Sequence, residues 1–323
     1  MKNYLITGAA GFIGSHLADQ LLKLGHHIIA IDNMIENYSL KLKEDNIKKN
    51  LKNKNYQFYR IDIRNKDNLQ QLFKREKIDV VIHLAGLAGV RKSIDNPIIY
   101  EEVNCIGTQN ILECMKEHNI KNIIFSSSSS VYGNRTEIPF KETDRTDMQI
   151  SPYAATKKAD ELFLYVYHNL YNINTMILRF FTVYGPRQRG DLAISKFVKA
   201  ILENKPIEMY GDGSTSRDYT YIDDIIDGIL KSIKYVETNN NVYEILNLGN
   251  SNPIKLKDMI RTIEMAINKK AIIINKPMQQ GDVNITYAQI DKAKKLIQYE
   301  PKTDFITGIN LFVKWFIQNK TLY

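Results

Sequence analysis

Apolar positions along the chain follow two rhythms. Short, nearly unbroken apolar runs occur at Tyr4–Thr7, Ile28–Ile31, Gln57–Ile61, Val80–Leu84, Asn122–Ser127 and Thr175–Phe180. They predict strands covered on both faces. Between them, Ile13–Lys23, Asp67–Arg75, Asn104–Glu117 and Tyr153–Tyr171 space their apolar residues as helices do. Strand-helix alternation of this kind predicts a parallel, doubly wound α/β sheet. Beyond Phe181 the rhythm loosens. Gly185-Pro186, Gly190 and Gly211-Asp212-Gly213 read as turns, and helices are expected at Leu192–Glu203, Asp223–Val236, Lys257–Ile267 and Phe305–Gln318. The expected division is a nucleotide-binding sheet domain over residues 1–181 and a smaller α/β substrate lobe over 182–323. A segment near 215–250 is expected to return to the sheet, with Val242–Leu248 as the candidate strand.

Composition narrows the class without changing this outline. The 323 residues are 44% hydrophobic and 25% charged, an ordinary globular mixture. No apolar run approaches the roughly 20 residues of a membrane helix. The first strand breaks at Gly8, too early for a signal peptide, so the cytoplasm is the expected compartment. Cys105 and Cys114, if on one helix, face opposite sides, which disfavours a disulfide and suits a reducing environment. The net charge of +8 owes much to Lys41, Lys43, Lys48, Lys49, Lys52 and Lys54. That run reads as the solvated face of a helix and its loop. No aromatic residue interleaves it before Tyr56, so no nucleic-acid partner is expected. The six histidines form no metal-ligand spacing with cysteines or carboxylates.

The first strand-to-helix turn reads Thr7-Gly8-Ala9-Ala10-Gly11-Phe12-Ile13-Gly14. Glycines there permit a tight turn, a close backbone approach to a diphosphate, and packing of helix on strand. The helix amino terminus adds free N–H groups and partial positive charge. This is the Rossmann-type dinucleotide turn in its expected place. Asp32, ending the second strand, can accept both adenosine ribose hydroxyls and repel a 2′-phosphate, which favours NAD over NADP. Asp62, with Ile63 after it, and Leu84-Ala85-Gly86 end the next two strands, where ligands of such sheets bind. Asp62 is expected near the adenine and Leu84–Gly86 near the middle of the cofactor. His83 reads as a packed, hydrogen-bonded side chain.

Ser151-Pro152-Tyr153-Ala154-Ala155-Thr156-Lys157 opens a long helix, with Ser151 suited to the N-cap and Pro152 to the first turn. Tyr153 and Lys157 then share a face. A phenol near pKa 10 needs about 4 kcal/mol of preference for the phenolate to work near pH 7. A nearby ammonium and a nicotinamide cation carry the right sign. A hydroxyl from the serine run Ser126–Ser130, at the end of the fifth strand, completes the set by bonding the reacting oxygen.

With these motifs the chain resembles the extended short-chain dehydrogenases/reductases, in particular nucleotide-sugar 4-epimerases, and among them most closely the UDP-glucuronate 4-epimerases. The resemblance covers nearly the whole chain. It rests on Thr7–Gly14, Asp32-Asn33, His83–Gly86, Gly89-Val90-Arg91-Lys92-Ser93, Asn96-Pro97, Ser126–Gly133, Tyr153–Lys157, Arg179–Arg189 and Arg217–Asp224. It implies that Tyr153 takes the C4 hydroxyl proton and that a transient 4-keto sugar is re-reduced on its other face. It assigns Ser128, assisted by Ser129, to the hydroxyl role and Lys157 to the nicotinamide ribose. Asn104 would orient the lysine, and Phe12, Ile13, Asn33 and Ser126 would join the NAD contacts. Arg217 would hold the diphosphate, Thr182 and Arg189 the sugar carboxylate, and Arg91 and Arg187 would join the substrate contacts. It further implies a homodimer formed by the helices at Asn104–Glu117 and Tyr153–Tyr171, and a place in polysaccharide biosynthesis. Sugar 4,6-dehydratases carry Asp-Glu where this chain has Ser129-Ser130, and UDP-glucuronate decarboxylases carry Glu at the second position. Gly190 departs from the proline usual in the uronate pattern. Epimerases of UDP-glucose or UDP-N-acetylglucosamine share much of the segment and stay open as alternatives. So do a decarboxylase, a dehydratase and a non-catalytic NAD-sensing module.

Overall fold

The computed structural model describes residues 1–277 and 283–323. The chain first lays down β1 (Asn3–Thr7), α1 (Phe12–Lys23), β2 (His27–Asp32), α2 (Leu40–Lys48), β3 (Tyr56–Arg60), α3 (Lys66–Arg75) and β4 (Val80–His83). Then come α4 (Val90–Asp95), α5 (Pro97–Tyr100), a π-helical stretch Glu101–Ile106, α6 (Gly107–Glu117), β5 (Asn122–Ser128), a 3-10 turn Ser129–Tyr132, α7 (Pro152–Tyr171) and β6 (Asn174–Phe180). The remainder contributes β7 (Thr182–Tyr184), α8 (Ala193–Leu202), β8 (Pro206–Tyr210), β9 (Ser216–Tyr221), α9 (Ile222–Thr238), β10 (Tyr243–Leu248), β11 (Pro253–Lys255), α10 (Leu256–Ile267), β12 (Ile272–Lys276), α11 (Asp291–Ile297) and α12 (Phe305–Gln318).

Seven strands form one sheet in the order β10-β6-β5-β4-β1-β2-β3, every pair parallel. The unbroken apolar runs have a direct cause. Ile6, Ile28, Ala30, Ile82, Ile124 and Met176 face one core, while Leu5, Ile29, Val81, Ile123, Phe125 and Ile177 face the other. Each of these side chains larger than alanine contributes roughly 1.5–3 kcal/mol on burial. The chain leaves β1 toward β2 on one side and reaches β4 on the other, so a crevice opens at the carboxyl ends between them. The expected returning strand is β10, which pairs with β6. Smaller sheets, β11-β9-β7 and β12-β8, lie outside the main one.

Two expectations change. The helix expected to begin at Asn104 is the end of a longer helical run that opens with Pro97 at its first turn and passes through the π-helical stretch. Gly107 lies where a Cβ would fall 2.5 Å from Ile63 Cδ1, so the widened turn precedes a close approach to the loop after β3. The lysine run does form a helix, α2, but Lys43 is not on its solvated face. It is 4% exposed and lies inward with Leu42, Asn46 and Ile47. No helix among the described residues is long and apolar enough to cross a membrane.

Candidate active site

A cleft of about 380 Å³ opens at the crevice between β1 and β4. Its floor is the β1–α1 turn. Gly8 has φ +70°, and a Cβ there would lie 2.9 Å from Ala85 N. A Cβ on Gly14 would lie 2.3 Å from the Gly8 carbonyl oxygen. Helix α1 starts at Gly11 with no side-chain cap, which leaves its first N–H groups for a ligand. Phe12 and Ile13 complete this floor.

At the adenosine end stands Asp32. Its Oδ2 accepts from Ala10 N at 3.2 Å and its Oδ1 from Met34 N at 2.9 Å. Lys43 Nζ lies 3.8 Å from Asp32 Oδ1 and donates to the Ile35 carbonyl at 2.8 Å. Both line the cleft with Asn33, Ile63 and Tyr38, whose hydroxyl lies 3.9 Å from where a Gly11 Cβ would be. Asp62 lines an adjoining groove instead. The Arg64 guanidinium holds its carboxyl down at about 2, and Asn33 Nδ2 donates to it at 3.0 Å.

The middle of the cleft is Leu84-Ala85-Gly86. Thr7 Oγ1 accepts from Leu84 N and Ala85 N, so its own proton goes to His83 Nδ1 at 2.7 Å. His83 Nε2–H then donates to Thr108 Oγ1 at 3.0 Å. Complete burial pushes His83 down to about 3, so it stays neutral and serves packing. Asn104 is buried beneath this loop and does not line the cleft. Its Oδ1 accepts from Leu87 N at 2.7 Å, and its Nδ2 donates to Leu87 O and Thr156 Oγ1. Asn104 thus ties the Gly86-Leu87 loop to α7, and its Oδ1 and Lys157 Nζ flank Gly86 together, 3.1 and 3.7 Å from where a Cβ there would lie.

At the far end α7 presents Tyr153 and Lys157, with Ser151 as its N-cap accepting from Ala154 N. Ser126 and Ser128 reach the same space from β5, whereas Ser129 begins the 3-10 turn and does not line it. The Ser128 hydroxyl and Arg189 pull the Tyr153 phenol down, but burial outweighs them, followed by a smaller upward push from Asp160. The net direction is upward. Desolvation around Tyr153 disfavours the phenolate, so the cofactor's positive charge counted on in the sequence reading is needed beside the protein's own groups. Lys157 Nζ sits 4.4 Å over the Phe125 ring and would be 3.7 Å from a Cβ on Gly86. Behind Ser128, the Ser127 hydroxyl donates to Glu161, which Arg179 grips bidentately at 2.9 and 2.8 Å. That buried pair fixes the end of β5 against α7 and β6.

Of the residues assigned to substrate, Ser128, Thr182 and Arg189 line the cleft. Arg189 stacks over Tyr38 and grips Asp191 bidentately at 2.9 and 2.8 Å; Lys92 also bonds Asp191 at 2.9 Å. Arg187 is not part of the cleft. Its φ of +65° accompanies a side chain that pairs with Asp19 on α1 at 2.9 Å, beside His16, which bonds the Pro186 carbonyl. Arg217 on β9 and Arg91, over the Tyr210 ring on β8, also lie outside its lining. Gly190 has a local reason: a Cβ there would meet Tyr323 Cδ1 at 3.1 Å. The sequence reading missed Lys43, Tyr38, Asp191 and Asp160. For Lys43 a signal existed, since it stands one helical turn before the buried Ile47. Among the described residues no cluster of His, Cys, Asp and Glu could hold a metal ion.

Comparison with known proteins places these features among characterised enzymes. A family model described as GDP-mannose 4,6 dehydratase matches residues 5–312. A UDP-glucuronate 4-epimerase of Thermodesulfobacterium geofontis is 43% identical over 320 residues, covering 99% of this chain and 97% of that one. The crystal structure of UDP-glucuronic acid 4-epimerase from Bacillus cereus, in complex with UDP-glucuronic acid and NAD, is similar with a TM-score of 0.92 and 38% identity over 98% of this chain and 99% of that one. A UDP-glucose 4-epimerase from Thermotoga maritima, with UDP-glucose, gives a TM-score of 0.89 at 30% identity, covering 99% and 100%.

Proposed function

The chain belongs to the GDP-mannose 4,6-dehydratase family of extended short-chain dehydrogenases/reductases, and from that premise we propose that it is an NAD-dependent 4-epimerase interconverting UDP-glucuronate and UDP-galacturonate. The carrying observation is likeness along nearly the whole chain to epimerases of that sugar, with Tyr153, Lys157 and Ser128 gathered at one cleft. Against dehydration and decarboxylation stands the serine pair Ser129-Ser130: among the described residues Asp32, at the adenosine end, is the one carboxylate lining the cleft.

The residues present fit NAD, because the glycines at 8, 11 and 14 line the cleft, their lack of a Cβ lets the surrounding backbone close up beneath it, and the uncapped start of α1 offers its N–H groups. Gly8, Gly11 and the start of α1 hold the diphosphate. Asp32 and Lys43 hold the adenosine ribose, Asp62 flanks the adenine, and Gly86 and Lys157 hold the nicotinamide riboside. NAD supplies reversible oxidation at C4 when bound. Tyr153 takes and returns the C4 hydroxyl proton, with Ser128 bonded to the same oxygen. Ionising Tyr153 in so buried a place needs positive charge, which Lys157 and the bound cofactor supply. Thr182 and Arg189 hold the sugar carboxylate, and that fixation keeps the transient 4-keto uronate, a β-keto acid, from losing carbon dioxide. Arg91 and Arg217 serve the diphosphate of the UDP group. Residues 1–181, with β10, form the NAD domain and 182–323 mainly the substrate lobe. The enzyme works as a homodimer in the cytoplasm, where its buried free thiols Cys105 and Cys114 stay reduced, and supplies uronate for polysaccharide biosynthesis.

The test is incubation with UDP-glucuronate, UDP-glucose and UDP-N-acetylglucosamine separately, with no NAD added. Conversion of the uronate to UDP-galacturonate, with no deuterium entering C4 or C5 in heavy water, is expected. Conversion of the neutral sugars alone would overturn the substrate, and release of carbon dioxide would overturn the reaction.

A further inference from the structure

Helix α7 buries one charged side chain more than the proposed reaction uses. Asp160 is fully enclosed at 0% exposure, on the turn after Lys157, with its carboxylate 4.0 Å from Lys157 Nζ. No hydrogen bond of good geometry reaches either carboxylate oxygen among the described residues, and the nearest donors are the neutral Thr108 hydroxyl and Cys105 thiol. Its neighbour Glu161 is the contrast, since Ser127 and Arg179 satisfy it. A buried carboxylate with only weak neutral donors beside it is strongly disfavoured unless a cation compensates it. The cation facing it is Lys157, itself buried over the Phe125 ring.

The groups around the pair leave this balance to the two of them. On α7, Glu161 is neutralised by Arg179 and Tyr153 is a phenol. From the π-helical stretch comes Cys105, whose thiol burial pushes up to about 12. From α6 comes the Thr108 hydroxyl, and from β4 the neutral His83. Burial drives Lys157 toward its uncharged amine and Asp160 toward its uncharged acid, and each opposes that drift in the other.

We propose that Asp160 is a positioning residue that keeps Lys157 charged and thereby sets the pH range in which Tyr153 and Lys157 work together. The proposal rests on the epimerase reading for its catalytic meaning. Its sign is fixed at both limbs of the pH profile. Without the carboxylate, Lys157 gives up its proton at lower pH, which lowers the alkaline limb. Tyr153, whose ionisation Asp160 opposes, becomes easier to ionise, which lowers the acid limb. A purely structural loss would reduce turnover and leave both limbs in place.

The experiment is the pH profile of kcat for wild type, Asp160→Asn and Asp160→Glu. Alongside it, Tyr153 ionisation is titrated by the ultraviolet absorbance of its phenolate in the NAD-loaded enzyme, as a difference from Tyr153→Phe. In Asp160→Asn both limbs and the Tyr153 titration are expected to move toward acid, the alkaline limb by about one unit or more, with KM little changed. Asp160→Glu is expected to move them back. Profiles that superimpose on wild type, or a lower kcat with unmoved limbs, would overturn the proposal. Should Asp160→Asn not fold, Asp160→Ser removes the same charge and is read the same way. If wild type converts no UDP-sugar, the functional reading fails, and the Tyr153 titration still decides the role of Asp160.

Discussion

At the scale of single residues, the polar side chains beneath the cleft are there to be held still. Thr7, His83 and Thr108 form one chain of hydrogen bonds, and that chain fixes the Leu84-Ala85 backbone at the cofactor groove. Its neutrality has a consequence for stability. Burial sets His83 at about 3 and His16 at about 4, both below the ordinary value near 6.5. The unfolded chain therefore takes up protons first as pH falls. The stability these two residues contribute is complete above about 6.5 and is lost progressively between there and their folded values. At pH 5, His83 alone is expected to lower the unfolding free energy by about 2 kcal/mol relative to pH 8. Urea midpoints measured from pH 8 to 5 check this, with His83→Gln as the reference whose profile is subtracted. A difference that stays flat across that range would show that His83 is protonated in the fold.

Among the elements, the β1–α1 turn carries the tightest backbone approach. A methyl at Gly14 would push into the Gly8 carbonyl and the Ala9 Cα, both main-chain atoms that no side-chain rotation can clear. Gly14→Ala is expected to lose about 2 kcal/mol or more of stability and at least about tenfold in NAD affinity. Gly25→Ala is the control. It has a positive φ of +82°, which Gly14 lacks, but nothing within 4 Å, so it should lose only about 1 kcal/mol and leave NAD binding alone. Calorimetric NAD titration of both variants, with their urea midpoints, measures the contrast; equal affinities would separate the glycine floor from cofactor binding. That floor was legible in the sequence because glycine spacing, an apolar strand before it and an amphipathic helix after it are all local signals. The smaller strands were not. β12 (Ile272–Lys276) exposes every residue and β8 (Pro206–Tyr210) is only partly covered, so neither has a buried face to impose a period. Lys43 and Asp160 were missed for a related reason. Charge argues for solvent, and only packing of α2 on Asp32, or of α7 on Cys105 and Thr108, turns such a residue inward.

Across the whole molecule the cleft draws on β1, β2, β4, β5, α7 and β7, segments far apart in sequence that meet only because the sheet order reverses at β1. Long-range placement decides which arginine of Arg187 and Arg189 reaches the cleft, and spacing alone could not tell them apart. The same helix that carries Tyr153, Lys157 and Asp160 on its inner face shows apolar residues on its outer one. Leu162, Val166 and Leu170 recur at one-turn spacing with 57%, 45% and 64% exposure, and Ile98 on α5 and Ile106 in the π-helical stretch are uncovered as well. A stripe of this kind is a liability for a monomer and an asset for a two-fold contact between copies. Pairing through it would also stiffen α7, so assembly and catalysis should fall together. Leu162→Glu with Leu170→Glu is expected to convert a dimer to a monomer in sedimentation velocity, with lower turnover and with the α/β fold retained by circular dichroism. A wild-type chain that sediments as a monomer, or a double variant that still dimerises, would place the subunit contact elsewhere or remove it.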